Sequence, residues 1–199
     1  MYKIYGDVNS GNCYKVKLLA RQLGVPFEWI NVGTLNKETQ SPEFMKKNPN
    51  GKIPLLETED GRFLPESNAI LHFLAEGTSF LPHERFEHAQ VLQWLFFEQY
   101  SHEPNIATAR YIIRYLGRPP ELEQALQAKM APGIKALRVM EEHLQGRSYF
   151  VGDRYTIADI GLFAYTHVAE EGNFSLAGFP SICDWIERVK SQPGFVPIG

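Results

Sequence analysis

The sequence predicts a small α/β domain followed by an all-helical domain. In residues 1–76, short strand and helix patterns alternate, whereas residues 86–199 contain only long helical patterns. The stretch between them, residues 77–85, contains Pro82 and is typical of a linker. A chain of 199 residues is long enough for one or two domains of average size, and the change of pattern favours two.

The first domain opens with a β-α-β unit. Residues 3–5 have a short strand pattern, and apolar residues recur at helical spacing from residue 14 to residue 23. Gly24 ends this helix, and the aromatic and β-branched run 27–32 predicts a second strand.

A ββα unit completes this domain. Residues 53–57 and 63–64 flank a turn that contains Gly61, which is typical of an antiparallel hairpin, and residues 68–75 have a helical pattern. Pro54 has no backbone N–H and cannot lie in the middle of a sheet. Its place at the start of a strand therefore predicts an exposed edge.

The second domain shows long helices interrupted by prolines. A helix that begins near Val91 is predicted to bend at Pro104 and to end at Gly117. The next helical pattern covers residues 122–144 and contains Pro132. Because the apolar stripe continues beyond this proline, we expect a helix that bends and resumes.

Composition and charge exclude several classes of protein. With 44% hydrophobic and 22% charged residues, the chain has the composition of a globular protein and not of a disordered one. A net charge of −3 supplies no basic face for nucleic acid. The first residues are too polar for a signal peptide, and no apolar run is long enough to span a bilayer. We therefore expect neither export nor a membrane partner.

The cysteines and histidines show no disulfide or metal pattern. Cys13 and Cys183 are too few for a disulfide framework, which favours a reducing, cytoplasmic location. The histidines, six in number, have no spacing typical of metal ligands, so we expect no metal site.

Ser10 precedes the first predicted helix, where its hydroxyl and the helix N–H groups can together stabilise an anion such as a thiolate. A thiol with a pKa near 8.5 needs about 2.7 kcal/mol to be mostly ionised at neutral pH. The helix dipole supplies about 0.3 to 2 kcal/mol and one hydrogen bond to the charge about 1.5 to 3, so the two together suffice. The alternative is that Ser10 only caps the helix. Ser10 and Cys13 have CxxC spacing with the first cysteine replaced, which removes the protein thiol that would attack a disulfide. Cys13, near the start of the helix, is expected to be a small packing residue and not a second nucleophile.

Four short signatures follow one another along the chain: SGNC at residues 10–13, NPNGKIP at 48–54, ES at 66–67 and TIAD at 156–159. Together and in this order they resemble the signatures of the cytosolic glutathione transferases. The resemblance covers nearly the whole chain, and in detail the sequence is similar to bacterial transferases in which Ser or Thr, followed two residues later by Asn, opens the first helix. It implies a thioredoxin-like βαβ-ββα domain at 1–76 that binds glutathione and an all-helical domain at 86–199 that binds the second substrate.

The resemblance implies that Ser10 and Asn12 hold the glutathione sulfur and carry the catalysis. Tyr5 is the competing hydroxyl, because other transferase classes activate the thiol with a tyrosine near the end of the first strand. Thr156 and Asp159 have capping-box spacing, which is a folding device and not part of the site.

The resemblance also implies the contacts to the rest of the tripeptide. Lys52 and, with a looser match, Gln40 would bind the glycine carboxylate. The backbone of Ile53, next to a cis proline, would pair with the cysteinyl residue like an added strand. Glu66 would pair with the γ-glutamyl ammonium, while the Ser67 hydroxyl and the helix N–H groups would hold its carboxylate.

As a member of this family, the chain would conjugate its cosubstrate glutathione to small hydrophobic electrophiles. This reaction serves detoxification, and the protein would act as a homodimer in the cytoplasm. Two alternatives stay open. One is a glutathione-dependent disulfide-bond reductase or peroxidase, whose partner would be a disulfide or a peroxide. The other is a non-catalytic binding or interaction module on the same fold.

Overall fold

The computed structural model describes residues 1–199 and divides into two compact units. The first unit consists of Met1–Thr78 together with Gln192–Gly199, and the second consists of Ser79–Ser191. The sequence analysis placed the C-terminal segment in the helical domain, whereas in the structure it packs with the first unit.

A sheet of four strands, in the order β2-β1-β3-β4, forms the centre of the first unit. β1 (Tyr2–Gly6) is parallel to β2 (Phe27–Asn31) and antiparallel to β3 (Leu55–Glu57). β3 also pairs with β4 (Phe63–Pro65) in an antiparallel hairpin. The predicted βαβ-ββα arrangement, with its antiparallel hairpin, is confirmed.

Three helices accompany this sheet: α1 (Gly11–Gln22), α2 (Pro42–Lys47) and α3 (Ser67–Ala75). α1 connects β1 to β2 and packs against α3, which follows β4. α2 follows a short 3₁₀ turn, Glu38–Gln40, in a region where the sequence indicates only turns. It is short, and Ser41 caps it by accepting a hydrogen bond from the Phe44 N–H at 3.2 Å.

The prediction that Pro54 marks an exposed edge is wrong. β3 lies between β1 and β4, and Pro54 is itself buried, immediately before the first paired residue, Leu55. Because the pairing begins one residue after the proline, its missing N–H removes no hydrogen bond from the sheet.

The C-terminal segment Gln192–Gly199 lies along α1. The Tyr14 hydroxyl donates to the Val196 carbonyl at 2.7 Å, and the Gly199 N–H donates to the Val8 carbonyl at 3.3 Å. Burial raises the pKa of the Tyr14 phenol above its usual range, so the phenol stays protonated and serves as a donor. This segment therefore belongs to the framework that holds α1 in place.

The second unit is helical. A π-helical turn, Glu98–His102, joins its first two helices, and Pro104, which has no N–H to donate, stands in the first turn of the second one. A further π turn, Tyr111–Tyr115, follows. The helices are α4 (Arg85–Phe97), α5 (Glu103–Arg110), α6 (Glu123–Leu144), α7 (Ile157–Thr166) and α8 (Pro180–Lys190).

α6 continues through Pro132, so the predicted continuation of the helix beyond this proline is confirmed. At the next position, Gly133, a Cβ atom would lie 2.4 Å from Cε1 of Phe174. The aromatic ring thus occupies the space that a side chain would need.

No helix in the chain is both long enough and apolar enough to cross a membrane.

Asp159 organises the second unit from the start of α7. Its Oδ2 accepts hydrogen bonds from the Thr156 N–H at 2.9 Å and the Thr156 hydroxyl at 3.2 Å, which confirms the capping box. Its Oδ1 accepts from the Phe150 N–H at 3.2 Å and from the Trp185 indole N–H at 2.9 Å. Burial raises the pKa of this carboxyl to about 6, so at neutral pH it is mainly ionised and accepts from all these donors.

We expect Asp159→Ala to destabilise the protein by about 3 kcal/mol or more at pH 7.5, because each buried donor left without an acceptor costs about 1 to 3 kcal/mol. Urea denaturation followed by tryptophan fluorescence measures this change. Asp153→Ala, which removes the same charge from an exposed position, is the control and should change stability by less than about 0.5 kcal/mol. Equal losses in the two variants would contradict the role given to Asp159.

Candidate functional site

Ser10 is the N-cap of α1. Its backbone is extended, with φ −74° and ψ 124°, and its Oγ accepts a hydrogen bond from the Cys13 N–H at 3.4 Å. A hydroxyl that accepts in this way still has its own proton to donate. The capping role and the predicted role as a donor to sulfur are therefore compatible.

Asn12 connects the start of α1 with the start of α3. Its Oδ1 accepts hydrogen bonds from Lys15 Nζ at 2.7 Å and from the Ser67 hydroxyl at 3.2 Å. Lys15 Nζ also donates to Ser67 Oγ at 3.3 Å, and both Lys15 and Ser67 are buried. In this structure the Ser67 proton thus points at Asn12, so the backbone N–H groups of α3 are the donors that remain for a carboxylate.

Cys13 is a packing residue, as the sequence predicts. It is completely buried, and a Cβ atom placed on Gly6 would lie 2.9 Å from its Sγ. Burial raises the pKa of the Cys13 thiol to about 12, so almost none of it is thiolate at neutral pH. A buried and protonated thiol is a poor nucleophile.

The Tyr5 hydroxyl, the alternative to Ser10 as the activator of the thiol, is already hydrogen-bonded to other side chains of the protein. Its hydroxyl donates to Glu57 Oε2 at 2.5 Å and accepts from Lys47 Nζ at 2.9 Å. These contacts use both its proton and a lone pair. Hydrogen bonds from Tyr5 and Lys3 lower the pKa of Glu57, which keeps this cluster charged. The Tyr5 ring packs in a cluster with Val32, Phe44 and Leu55.

Three of the residues predicted to bind the rest of the tripeptide, Gln40, Lys52 and Ile53, precede β3 in the sequence. The Gln40 amide donates to the Gly51 carbonyl at 3.1 Å, and the buried Asn48 amide donates to the Lys52 carbonyl at 2.7 Å. These bonds shape the turn and leave the Lys52 side chain exposed. Ile53 is partly buried and precedes Pro54 across a cis peptide bond.

Glu66 has an unusual backbone conformation. Its φ is 72° and its ψ 113°, its side chain makes no capping hydrogen bond, and the residue is exposed. A non-glycine residue in such a region costs about 1 to 3 kcal/mol and is often found at functional sites. Glu66 is therefore an exposed acidic residue at the N-cap position of α3 whose side chain does not bond to the helix.

The predicted site residues thus form two groups. Ser10, Asn12, Glu66 and Ser67 lie at the starts of α1 and α3, whereas Lys52 and Ile53 lie in the turn before β3, which Gln40 contacts from the 3₁₀ turn before α2. Sequence reasoning missed Lys15, although its position three residues after Asn12 on the same helix was a usable signal. No group of three or more His, Cys, Asp or Glu side chains gathers in a way that could hold a metal ion.

Solved structures resemble this chain over nearly its whole length. A glutathione S-transferase from Pseudomonas fluorescens Pf-5 is 56% identical and superposes with a TM-score of 0.97, covering 99% of this chain and 98% of that one. A glutathione transferase family member from the same species, solved with two glutathione molecules bound, is 27% identical with a TM-score of 0.85, covering 97% and 89%.

Two relatives have other names. The disulfide-bond oxidoreductase YfcG of Escherichia coli (strain K12) is 29% identical over 92% of this chain and 87% of its own length. Elongation factor 1-gamma-A of Xenopus laevis is 34% identical over 96% of this chain but only 45% of its own length. The chain therefore spans less than half of that elongation factor.

Two family models cover most of the chain. The model of the glutathione S-transferase N-terminal domain matches residues 9–76, and the model of the C-terminal domain matches residues 104–193. Their order agrees with the α/β unit followed by the helical unit, and the first match includes Ser10, Asn12 and Glu66. With these models and a 56% identical transferase on the same fold, the chain belongs to the glutathione S-transferase family.

Proposed function

We propose that this protein is an enzyme that conjugates the thiolate of glutathione to small hydrophobic electrophiles. The observation that carries the proposal is the start of α1, where the Ser10 hydroxyl caps the helix and keeps its proton for an anion. The protein has no competent thiol of its own at this place, since Cys13 is buried and its pKa is raised to about 12. In this proposal the nucleophile is therefore the thiol of glutathione.

In this reaction the protein prepares and places the nucleophile. The thiol loses its proton to solvent on binding, and the sulfur lone pair forms the new S–C bond. With an aryl halide, the halide leaves with the electron pair of the broken C–halogen bond. The Ser10 hydroxyl and the first N–H groups of α1 stabilise the thiolate, and no covalent intermediate with the protein is needed.

The two ends of the tripeptide meet opposite charges. Lys52 is an exposed cation suited to the glycine carboxylate, and Ile53 next to it is suited to backbone pairing with the cysteinyl residue. Gln40 supports this turn through the Gly51 carbonyl. Glu66 is suited to the γ-glutamyl ammonium, and the N–H groups of α3 after Ser67 to its carboxylate.

The setting of the enzyme is also a proposal. We propose a homodimer that acts in the cytoplasm in detoxification. Its free cysteines, Cys13 and Cys183, support a reducing compartment.

A second candidate is a glutathione-dependent disulfide reductase. Its support is the similarity to YfcG and to a structure that holds two glutathione molecules, together with serine at the position of the first cysteine of a CxxC motif. In that reaction two glutathione thiols would be oxidised to one glutathione disulfide while the substrate disulfide is reduced to two thiols. The similarity to elongation factor 1-gamma-A keeps a binding module as the non-catalytic alternative.

A panel assay separates these functions. The purified protein is incubated with glutathione and an aryl halide, a hydroperoxide or a small disulfide, and glutathione affinity is measured by calorimetry. We expect the highest kcat/KM with the aryl halide. Higher kcat/KM with the disulfide or the hydroperoxide would favour the reductase or peroxidase, and binding without turnover would favour the binding module.

Ser10→Ala is expected to lower kcat/KM at neutral pH by one to two orders of magnitude, because a hydrogen bond to a charged group is worth about 1.5 to 3 kcal/mol. Tyr5→Phe should reduce it far less, since the Tyr5 hydroxyl is already bonded to Glu57 and Lys47. pH–rate profiles of both variants make the comparison. The reverse ranking would transfer the thiol-activating role to Tyr5.

Lys52→Ala and Glu66→Ala should each weaken glutathione binding at least about fivefold by calorimetry, because each removes a charge that pairs with one end of the ligand. Lys46→Ala and Glu76→Ala remove the same charges from other exposed positions and should leave the affinity unchanged. Unchanged affinity in either test variant would show that this residue is an ordinary solvated surface residue without a role in glutathione binding.

Cys13 should resist iodoacetamide at pH 8 in the folded protein and react only after unfolding, because a pKa of about 12 leaves roughly one thiolate in ten thousand. Peptide mass spectrometry resolves its labelling from that of Cys183, which is only partly buried. Cys13→Ala should keep turnover within about twofold. Rapid labelling of Cys13 in the native state would contradict its packing role.

A further inference from the structure

Lys15 is an unusual residue for the interior of α1. Its exposed fraction is 0%, yet lysine is rarely buried completely, because an ammonium group without hydrogen-bond partners is costly in a protein interior. It lies one helical turn after Asn12, and its Nζ is 2.7 Å from Asn12 Oδ1 and 3.3 Å from Ser67 Oγ. This arrangement ties together two residues that the sequence assigned to glutathione.

The contact with Lys15 determines which way the Asn12 amide faces. An ammonium group can only donate hydrogen bonds, so the Asn12 atom next to it must be the carbonyl oxygen and not the NH₂ group. The Ser67 hydroxyl, which donates to the same oxygen, agrees with this assignment. The oxygen and the nitrogen of an amide diverge from the same carbon, so the Asn12 NH₂ group is turned away from Lys15.

This orientation has a chemical consequence for the sulfur. A thiolate accepts hydrogen bonds and is repelled by a carbonyl oxygen, so Asn12 helps to stabilise it only with its NH₂ group. A free asparagine amide can turn over and present either end. Lys15 removes that freedom, since a turned amide would bring the NH₂ group against the ammonium.

We propose that Lys15 is a positioning residue of the thiol site: it fixes the Asn12 amide so that its NH₂ group serves the glutathione sulfur, and it joins this group to Ser67. The inference rests on the proposed function of the site as a glutathione thiolate site. Lys15 touches neither glutathione nor the electrophile in this account and acts through Asn12.

The test uses the full-length protein with Lys15→Met, which removes every donor at nearly the same length. The readout is the thiolate absorbance of bound glutathione in the ultraviolet, titrated from pH 5 to pH 9, together with kcat/KM for an aryl halide over the same range. Lys15→Arg keeps the charge and the donors. Lys17→Met removes a lysine two residues further along α1, where the side chain is partly exposed, and is the matched control.

We expect Lys15→Met to raise the midpoint of thiolate formation by about one pH unit, from about 6.5 to about 7.5, which leaves about threefold less thiolate at pH 7. kcat/KM should fall about fivefold at pH 6.5, approach a tenfold loss at lower pH and reach the wild-type value at high pH. Lys15→Arg should restore most of the shift, and Lys17→Met should show none. Reduced activity at every pH with an unchanged midpoint would overturn the proposal, because a merely structural role has that signature.

Asn12→Asp provides a second variant in case Lys15→Met does not fold. Aspartate keeps the acceptors for Lys15 and Ser67, but it has no N–H and adds a negative charge, and because both changes disfavour the thiolate the midpoint should rise further than in Lys15→Met. An unchanged midpoint in Asn12→Asp would overturn the proposal. If the wild type binds glutathione but turns over no electrophile, conjugation fails while the absorbance titration still decides the role of Lys15. If it binds no glutathione, both proposals fail.

Discussion

The first unit depends on the hydrogen bonds that join the start of α1 to the start of α3. Asn12 on one helix accepts from Ser67 on the other, and Lys15 donates to both. The sheet order makes this possible, because β1 leads into α1 while β4, on the far side of β3, leads into α3, and the two helices pack together. Two helix N-termini, each with unsatisfied N–H groups and a partial positive charge, therefore converge on one place. An anionic ligand with two acceptor sites is the natural complement of this arrangement.

The two units each have an acidic residue at the start of a helix, but Glu66 is strained and exposed whereas Asp159 is buried and hydrogen-bonded. At the start of α3, Glu66 has a positive φ and an exposed carboxylate that does not cap its helix, which gives up stability in the first unit. At the start of α7, Asp159 has the opposite role: it is buried and accepts hydrogen bonds from Thr156, Phe150 and Trp185. Both are acidic residues at helix starts, yet only the exposed one has a carboxylate available to a ligand. The comparison explains why a capping pattern in a sequence does not by itself indicate chemistry.

Periodicity predicted the parts of the fold whose signal is local, including β1, α1, the hairpin and α6. It missed α2, which is short and has no apolar stripe to mark it. It also misjudged Pro54, because the rule against proline in a sheet concerns paired residues, and pairing begins only at Leu55. Ser10 could be recognised because an N-cap acts on its own helix. For Lys15, the spacing from Asn12 was a local signal, but its contact with Ser67 could not be predicted, because Ser67 is distant in the sequence and reaches it only through the tertiary fold.

Because position 10 is a serine, the only thiol of the protein near the start of α1 is the buried Cys13, and the reacting thiol in the proposed function is that of glutathione. Cys13 fits against Gly6, where a Cβ would lie 2.9 Å from its sulfur, and its burial there keeps it protonated. A cysteine at position 10 would occupy the helix N-terminus and would itself be ionised by the dipole and the N–H groups. Serine supplies a proton and no competing nucleophile, so the same N–H groups and dipole are left for a sulfur that arrives with the ligand. Under the proposed function, the features that lower a thiol pKa at this helix start act on bound glutathione and not on the protein, and this follows from a single residue type at the start of one helix.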